Sequence, residues 1–392
     1  MAVIELADLG ADFTENPYPH YARLRGLGTV HEVRGGDGWR FWLVVGYDEC
    51  RAAFGDARLV KSSPAQDEED RIMGRHLLIA DPPDHTRLRR LVSREFTPRR
   101  VAQLRPRVQQ ITDGLLDAML PAGRGDLVDA LSFPLPITVI CELLGVPDSD
   151  RDAFRTWSDE VVTPTDAQLA RDSVLAMRDY LDALIARRRD AEPGDDLLSA
   201  LLRTEAEGDD RLSAAEVRAM AFILLVAGHE TTVNLITNGV RALLDHPDQL
   251  AALRADPGLL DGAVEEMLRY EGPVENATFR FTREPVDYDG TGIPAGEPVL
   301  IGLASADRDP ARFAEPDTFD IRRTAEGSAG HLAFGHGIHF CLGAPLARLE
   351  AKVAIGTLLE RAPGLALDEA AARPEWLPGL LIRGTRHLPL RW

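Results

Sequence analysis

The stretch FGHGIHFCLG, residues 334–343, places three glycines, two histidines and one cysteine within ten positions. Gly335, Gly337 and Gly343 allow close backbone approach or positive φ angles. The segment that starts at Gly343, GAPLARLEAKVAIGTLL, has helical periodicity. Cys341 therefore lies just before a helix N-terminus, where free N–H groups and the helix dipole favour a thiolate.

Cys341 has no second cysteine nearby in the sequence. A lone thiolate suits one axial bond to a metal in a macrocycle better than it suits a tetrahedral cage. Two alternatives remain at this point. One is a buried, inert cysteine, and the other is a zinc site made by His336, His339 and Cys341.

A second candidate site is AGHETT, residues 227–232, in the middle of a long helical pattern. Ser213 and Glu216 form a capping-box pattern, and nothing interrupts the periodicity before Asp245. About 30 residues at roughly 1.5 Å each would span about 45 Å, so this helix must run through the core.

Polar residues at the centre of that helix are unexpected. Glu230 would be costly to bury without a partner, and Thr231 can bond back to the carbonyl of residue 227. Because the flanks AFILLV and VNLI are apolar, we expect the polar cluster to face an internal cavity. A kinked helix with a solvated face is the alternative. A zinc hydrolase is excluded, since Val233 stands where an HExxH motif needs its second histidine.

Composition narrows the possible functions. The formal net charge of −19 disfavours nucleic acid and anionic membranes as partners. Three scattered cysteines and no basic segment before an apolar stretch at the N-terminus predict a reducing, cytoplasmic location. The longest apolar runs are much shorter than the roughly 20 residues of a membrane span.

The predicted fold is mainly α with a small β region. Helical periodicity covers residues 101–116 and 175–185, whereas strand signals are confined to 40–46 and 286–303. The sequence contains no repeat, low-complexity tract or long linker. We therefore expect a single domain over residues 1–392.

Taken together, these motifs resemble the cytochrome P450 family of heme-thiolate monooxygenases, along nearly the whole chain. FGHGIHFCLG matches the family's heme signature at every fixed position, and AGHETT matches its oxygen-activation motif. The resemblance implies the P450 fold with a long central helix over heme b. It makes Cys341 the iron ligand, places Phe334 beside the sulfur, and assigns proton delivery to Glu230 and Thr231.

Further roles follow from the same resemblance. Glu266 and Arg269, three apart on one helix face, would form a structural trio with Arg323, or with Arg322 as the close alternative. The heme propionates would be held by a set of cationic side chains, namely His85, Arg89, Arg280 and His339.

The resemblance implies hydroxylation or epoxidation of an organic substrate with O₂ and two electrons. The electrons would come from a ferredoxin and its reductase, docked on a basic patch drawn from Arg87, Arg90, Arg94, Arg99, Arg100 and Arg348. The alternatives are a heme-thiolate peroxygenase or isomerase that needs no external electrons and, more remotely, a non-catalytic heme-binding or zinc-binding protein.

The substrate is predicted by similarity alone. The pocket walls would be mainly apolar, formed by Ile72, Met73, Leu77, Leu78, Val226, Ala227, Val274, Asn276, Ala277, Leu380 and Leu381. Similarity to actinobacterial enzymes that modify macrolides and other polyketides favours a large, mostly apolar natural product. Asp67, Glu68, Glu69 and Asp70 could attract a cationic amino sugar, although such a run is more commonly a solvated loop.

Overall fold

A computed structural model of the chain describes residues 3–10, 12–35, 38–62, 68–147, 150–162, 164–190, 194, 196–206, 212–323, 330–372 and 374–392. Helices dominate this part of the chain, as predicted. In chain order they are α1 (Tyr18–Leu27), α2 (Tyr47–Gly55), α3 (Glu68–Met73), α4 (Asp84–Ser93), α5 (Pro98–Met119), α6 (Pro134–Leu144), α7 (Arg151–Val162), α8 (Ala167–Asp190), α9 (Leu197–Ala206), α10 (Ala214–Asp245), α11 (Pro247–Ala255), α12 (Leu260–Tyr270), α13 (Leu303–Ala306) and α14 (Ala344–Arg361).

The strands are short. Most lie near the two ends of the chain or in the segment before residues 334–343, which form the cysteine loop, and one lies between α5 and α6. They are β1 (Ile4–Glu5), β2 (Val30–Arg34), β3 (Arg40–Val44), β4 (Leu59–Val60), β5 (Arg124–Asp126), β6 (Arg280–Thr282), β7 (Val286–Tyr288), β8 (Thr291–Ile293), β9 (Pro298–Ile301), β10 (Ala366–Leu367) and β11 (Pro389–Arg391). The two predicted β regions are confirmed, since β3 lies within 40–46 and β7, β8 and β9 lie within 286–303.

The largest sheet has the strand order β1-β2-β3-β9-β6-β4. Its register places Trp42 opposite Glu32 in the antiparallel β2–β3 pair and opposite Val299 in the parallel β3–β9 pair. A smaller sheet, β10-β11-β5, joins the C-terminal end of the chain to the segment after α5, and β7 and β8 form a hairpin. The cysteine loop follows the strand region and leads into α14.

Helix α10 forms the centre of the main hydrophobic core and is continuous for 32 residues. Both halves of its capping box are present: Ser213 N donates to Glu216 Oε2 at 2.7 Å, and Glu216 N donates to Ser213 Oγ at 3.2 Å. The helix is long and apolar enough to cross a membrane, but 72% of its most apolar window is buried inside the protein, as in a core helix.

A glycine on α10 sets how closely the core helices approach one another. A Cβ added at Gly239 would lie 2.7 Å from Met267 Sδ on α12 and 3.3 Å from Ile355 Cδ1 on α14. Both distances are shorter than ordinary van der Waals contact. The absence of a side chain at this position therefore allows α12 and α14 to pack against the central helix.

A buried ion cluster connects α12 to the segment that precedes the cysteine loop. Arg269 donates to both carboxylate oxygens of Glu266 at 2.8 Å, and Arg323 Nε lies 3.1 Å from Glu266 Oε1. The Glu266 side chain has no exposed surface and that of Arg269 is 2% exposed. Arg322, the alternative third member, is exposed. The structure thus brings Glu266, Arg269 and Arg323 together.

The first prediction concerns this ion cluster. Replacing Glu266 by Gln removes the carboxylate and leaves the buried Arg269 charge uncompensated, which should lower the free energy of unfolding by about 3–5 kcal/mol. Urea denaturation followed by circular dichroism measures the loss. The matched control is Asp179→Asn, because Arg178 and Asp179 form a pair whose side chains are 34% and 69% exposed and such pairs contribute at most about 1 kcal/mol. Equal losses in the two variants would contradict the prediction.

Candidate active site

The cysteine loop is a tight turn held by backbone hydrogen bonds. Cys341 N donates to Phe334 O at 2.9 Å, and Gly335 N donates to Leu332 O at 2.7 Å. Gly335 and Gly337 have φ angles of 70° and 74°, which L side chains rarely adopt. A Cβ at Gly337 would also lie 2.8 Å from Phe54 O. Glycine is therefore required at 337 both for its backbone conformation and for the close approach to α2.

The sequence predicts that the helix N-terminus favours a thiolate at Cys341, whereas the surroundings of this sulfur in the structure favour the neutral thiol. Burial raises the pKa of this thiol, whereas the N–H groups of Gly343 and Ala344 and the charges of Arg89 and Arg348 act in the opposite direction. The helix N-terminus does favour the thiolate, as predicted, but its effect is smaller than the cost of desolvation. In the chain alone the thiol is the favoured form, and coordination to a metal ion is what would favour the thiolate.

The middle of α10 has an open face within an otherwise buried helix. Ala227 is exposed, whereas Thr232 and the ten residues that follow it, except Arg241, are buried. Thr231 Oγ1 donates to Ala227 O at 3.1 Å, as expected from the sequence, and the helix continues without a break.

Gly228 faces Ile140 of α6, whose Cδ1 would lie 3.1 Å from an added Cβ. This glycine allows helix packing on the side of α10 that faces α6.

Glu230 lies within a cluster of polar groups formed by α10 and α7. Its Oε1 accepts a hydrogen bond from Asn234 Nδ2 at 3.2 Å, and burial raises its pKa. On α7, burial and the charge of Glu230 raise the pKa of Asp159 to about 6. Between them, His229 Nε2 lies 3.1 Å from Ser158 Oγ. Sequence reasoning missed Asp159, because no local pattern connects it to a helix 70 positions later.

Cationic side chains gather beside the cysteine loop. The rings of His85 and His339 lie 4.2 Å apart between centroids. His85 Nε2 and Arg280 Nε are buried and have no hydrogen-bond partner among the residues that the structure describes. Burial and the charges of His85, Arg280 and Lys61 lower the pKa of His339 to about 3, and burial lowers that of Arg280 to about 10. Arg280 carries the positive charge of this group, and the two histidines, whose lowered pKa values leave them neutral at pH 7, can donate through their ring N–H groups, so the set fits an anionic ligand.

Two members of this cluster were not found from the sequence. Lys61 is buried, and its Nζ donates to Thr278 O at 2.8 Å and to Phe279 O at 3.0 Å. Asp81 accepts hydrogen bonds from the amides of Lys61 and Ser62 at 2.8 and 2.9 Å. The only available signal was that Lys61 is one of two lysines in the chain, which does not indicate a location.

The zinc alternative is not supported by the geometry. Within the described ranges, the one group of three candidate ligands whose donor atoms lie within 4.8 Å of one another is Asp126, Asp129 and His387. His336, His339 and Cys341 do not form such a group. A lone sulfur, a turn whose glycines allow close backbone approach, and a set of buried hydrogen-bond donors fit a heme with two carboxylates.

The predicted pocket residues have mixed positions. Ala227 and Leu381 are exposed, and Ile72, Leu78, Val274 and Ala277 are half-buried. Leu77 and Val226 are 8% exposed, whereas Met73 and Asn276 have no exposed surface. Asn276 Nδ2 instead donates to Leu380 O at 2.7 Å, and Leu380 packs in a separate core with Leu9 and Tyr21. Met73, Asn276 and Leu380 thus lie in packed surroundings, and their assignment to the pocket wall stays a prediction. The acidic run falls outside the description, since Asp67 and the side chains of Glu68, Glu69 and Asp70 are not described.

The basic patch is smaller than predicted. Arg348 forms an ion pair with Glu265, Arg87 with Glu216 and Arg100 with Glu95. Arg90 is exposed and has a partner. Arg94 and Arg99 are exposed, and no side-chain partner is found for either in the described part of the chain. These two residues remain available for a docking surface.

Comparisons with known proteins agree with this geometry. The sequence model of the family described as cytochrome P450 matches residues 152–362. The chain is 59% identical to cytochrome P450 monooxygenase PikC of Streptomyces venezuelae, over 100% of this chain and 94% of that protein. It is 45% identical to 6-deoxyerythronolide B hydroxylase of Saccharopolyspora erythraea, over 98% of each.

The chain belongs to the cytochrome P450 family. Its fold is also that of the P450 monooxygenase TamI bound to tirandamycin C, with a TM-score of 0.90 at 45% identity over 99% of each chain. The predictions of the family and the fold are thus confirmed. The protein is a heme-thiolate monooxygenase, and bacterial P450s use redox partners and small-molecule substrates.

The second prediction tests the cationic cluster. Arg280→Gln removes one charge-assisted hydrogen-bond donor of about 1.5–3 kcal/mol, so heme should dissociate about 10-fold to 100-fold faster. Transfer of heme to an excess of a heme-scavenging globin, followed in the Soret region, gives the rate. Arg283→Gln is the control, since Arg283 is exposed three residues further on. An unchanged rate in Arg280→Gln would remove this residue from the heme site.

Proposed function

We propose that the protein hydroxylates or epoxidises a large, mostly apolar natural product of macrolide or polyketide type. One oxygen atom of O₂ enters the substrate, and the other leaves as water with two electrons and two protons. The observation that carries this proposal is the single sulfur of Cys341, presented at the start of α14 near His85 and Arg280, which each have a buried nitrogen without a partner among the described residues. The hydroxylase of 6-deoxyerythronolide B and the tirandamycin-bound monooxygenase support the substrate class.

The cofactor of the proposal is heme b, which supplies oxygen activation and oxidation of the substrate when it is bound. Cys341 would hold the iron, Phe334 would pack beside the sulfur, and His85, Arg89, Arg280 and His339 would hold the propionates. Arg89 is half-buried, and its guanidinium has no hydrogen-bond partner among the described residues. The positive charge of this side chain acts on Cys341. It can therefore serve both the carboxylates and the sulfur.

The polar groups of α10 would manage protons. The Thr231 hydroxyl lies on the open face and can exchange its bond to Ala227 O for one to a bound molecule. Glu230 has a raised pKa because it is buried, so it holds a proton closer to neutral pH than a free carboxyl does. Asp159, whose pKa of about 6 is raised in part by the charge of Glu230, would resupply Glu230 with protons.

The proposal also covers the domain organisation, the cellular location and the electron donors. We propose that residues 1–392 form one domain, because the main core cluster includes residues from Met73 to Leu390. A cytoplasmic location is supported by the absence of disulfide bonds at Cys50, Cys141 and Cys341. The proposed electron donors are a ferredoxin and its reductase.

The experiment that tests the function uses the heme-loaded protein with a ferredoxin, its reductase and a panel of macrolides and other polyketides. Binding spectra identify the ligands, and mass spectrometry under ¹⁸O₂ shows whether one labelled oxygen enters the product. Turnover that needs the ferredoxin supports the proposal. Oxygenated product that forms with peroxide, carries no label from ¹⁸O₂ and does not form with the ferredoxin system, or isomerisation without oxygen uptake, would overturn it in favour of a peroxygenase or an isomerase.

The third prediction concerns Thr231. Thr231→Ala removes the hydroxyl that positions the proton donor, so product formation should fall by about 100-fold or more while oxygen consumption continues. The ratio of product formed to oxygen consumed measures this uncoupling. Thr231→Ser keeps the hydroxyl and should retain most of the coupling. Full coupling in the alanine variant would exclude a proton-relay role for Thr231.

The fourth prediction concerns docking of the ferredoxin. Reversing the two partnerless arginines, Arg94→Glu with Arg99→Glu, should slow reduction at low salt by about 10-fold or more and flatten its salt dependence. Stopped-flow reduction under carbon monoxide measures the rate. The control is Arg23→Glu with Arg283→Glu, which changes the net charge equally at other exposed positions. Equal effects of the two double variants would indicate a net-charge effect instead of a docking surface.

A further inference from the structure

Arg348, Glu265 and His331 form a cluster that contacts Phe334 of the cysteine loop. Arg348, on α14, donates from Nε and Nη2 to the two carboxylate oxygens of Glu265 at 2.6 and 2.7 Å. His331 Nε2 lies 3.1 Å from Glu265 Oε2. The two arginine bonds and the histidine lower the pKa of Glu265 to about 2 against the effect of its burial. Glu265 is therefore a carboxylate at neutral pH, and it fixes the orientation of the guanidinium.

The guanidinium is also stacked on the aromatic ring of the loop. The Cζ atom of Arg348 lies 4.4 Å from the centroid of the Phe334 ring. The same Phe334 accepts the backbone hydrogen bond of Cys341 through its carbonyl oxygen. Since the ring and the sulfur belong to one short turn, the arginine is fixed relative to the sulfur as well. Its positive charge is one of the two arginine charges that act on Cys341.

This geometry does not suit the docking role that the sequence suggested for Arg348. Its side chain is 29% exposed, and both carboxylate oxygens of Glu265 already accept from it. A docking cation has to be free to pair with the partner. A planar guanidinium held in two directions, by a carboxylate and by a ring face, instead provides a fixed charge.

We propose that Arg348 is a positioning residue that raises the reduction potential of the heme iron bound by Cys341, and that Glu265 fixes this charge and partly offsets it. The proposal depends on the proposed function, because it takes Cys341 as the iron ligand. One-electron reduction would add one negative charge to the unit formed by the heme iron and the Cys341 sulfur. A fixed positive charge nearby favours that state, and a fixed negative charge opposes it.

The two charges of the pair therefore predict opposite effects. Arg348→Gln removes the positive charge and should shift the midpoint potential to a more negative value. Glu265→Gln removes the negative charge, keeps the size of the side chain and should shift the potential to a more positive value. Loss of packing alone would not shift the midpoint potential in opposite directions in these two variants.

The experiment is a spectroelectrochemical titration of the purified heme-loaded protein with mediator dyes, without ferredoxin or substrate. The matched control is Arg361→Gln, because Arg361 is on the same helix, is 30% exposed and pairs with Asp117 at 2.6 Å. Its potential should equal that of the wild type. Shifts of the same sign in Arg348→Gln and Glu265→Gln, or no shift in either, would overturn the proposal.

Arg348→Lys keeps the test decisive if the glutamine variant does not fold. Lysine retains the charge but cannot form the two parallel bonds to Glu265, so its potential should stay closer to the wild-type value than that of any neutral variant that folds, such as Arg348→Met. A potential in Arg348→Lys as negative as that of Arg348→Met, or the absence of a positive shift in Glu265→Gln, would overturn the proposal.

The spectrum of the reduced, carbon monoxide-treated protein separates this proposal from the proposed function. If the wild type lacks the heme-thiolate spectrum, or if Cys341→Ser retains it, the proposed function fails. If the spectrum is normal and depends on Cys341 but the potentials do not move as described, only the role of Arg348 fails.

Discussion

The hydrogen bond from the Cys341 amide to the Phe334 carbonyl closes the turn on which the rest of the site depends. It fixes the sulfur at the start of α14 and places an aromatic ring on the same turn. The bond can form only because Gly337 accepts a positive φ angle against α2. Upstream, the buried Asp307 carboxylate accepts from Leu332 N at 2.6 Å, and the Glu266 cluster holds the preceding segment on α12. The loop is therefore anchored at several points before it reaches the cysteine.

The distribution of charge shows how a strongly acidic protein can hold an anionic cofactor. The chain carries a net charge of −19, yet Lys61, His85, Arg280 and His339 lie together with Asp81 as the acidic group that acts on them. Desolvation and mutual repulsion depress the pKa values of these groups. An anionic ligand would offset the repulsion and favour the charged forms of these groups, so their pKa values would rise on binding.

The parts of the site that could be predicted from the sequence are those set by local spacing. The cysteine loop, the capping box and 32-residue span of α10, and the Glu266–Arg269 pair each involve residues a few positions apart. Contacts between distant segments could be predicted only where the family resemblance supplied them, as for Arg323 with Glu266 and for His85 with His339. The contacts of Lys61 and Arg348 had no such signal. Lys61 and Thr278 are separated by 217 positions, and Arg348 and Glu265 by 83. Asn276 and Leu380 were assigned to the pocket wall by resemblance, and the hydrogen bond between them joins segments 104 positions apart, which no local pattern indicates.

The acids on α7 and α10 show why such distant contacts matter for chemistry. A carboxyl group with an ordinary pKa carries almost no proton at neutral pH, so a buried acid that must deliver protons repeatedly needs a raised pKa and a route for resupply. Burial provides the first for Glu230. In the proposed function Asp159 would provide the second, because the residue lies at the protein surface while partial desolvation and the charge of Glu230 raise its pKa to about 6. The cost of keeping Glu230 within an apolar helix is thus connected to a group that can exchange protons with water.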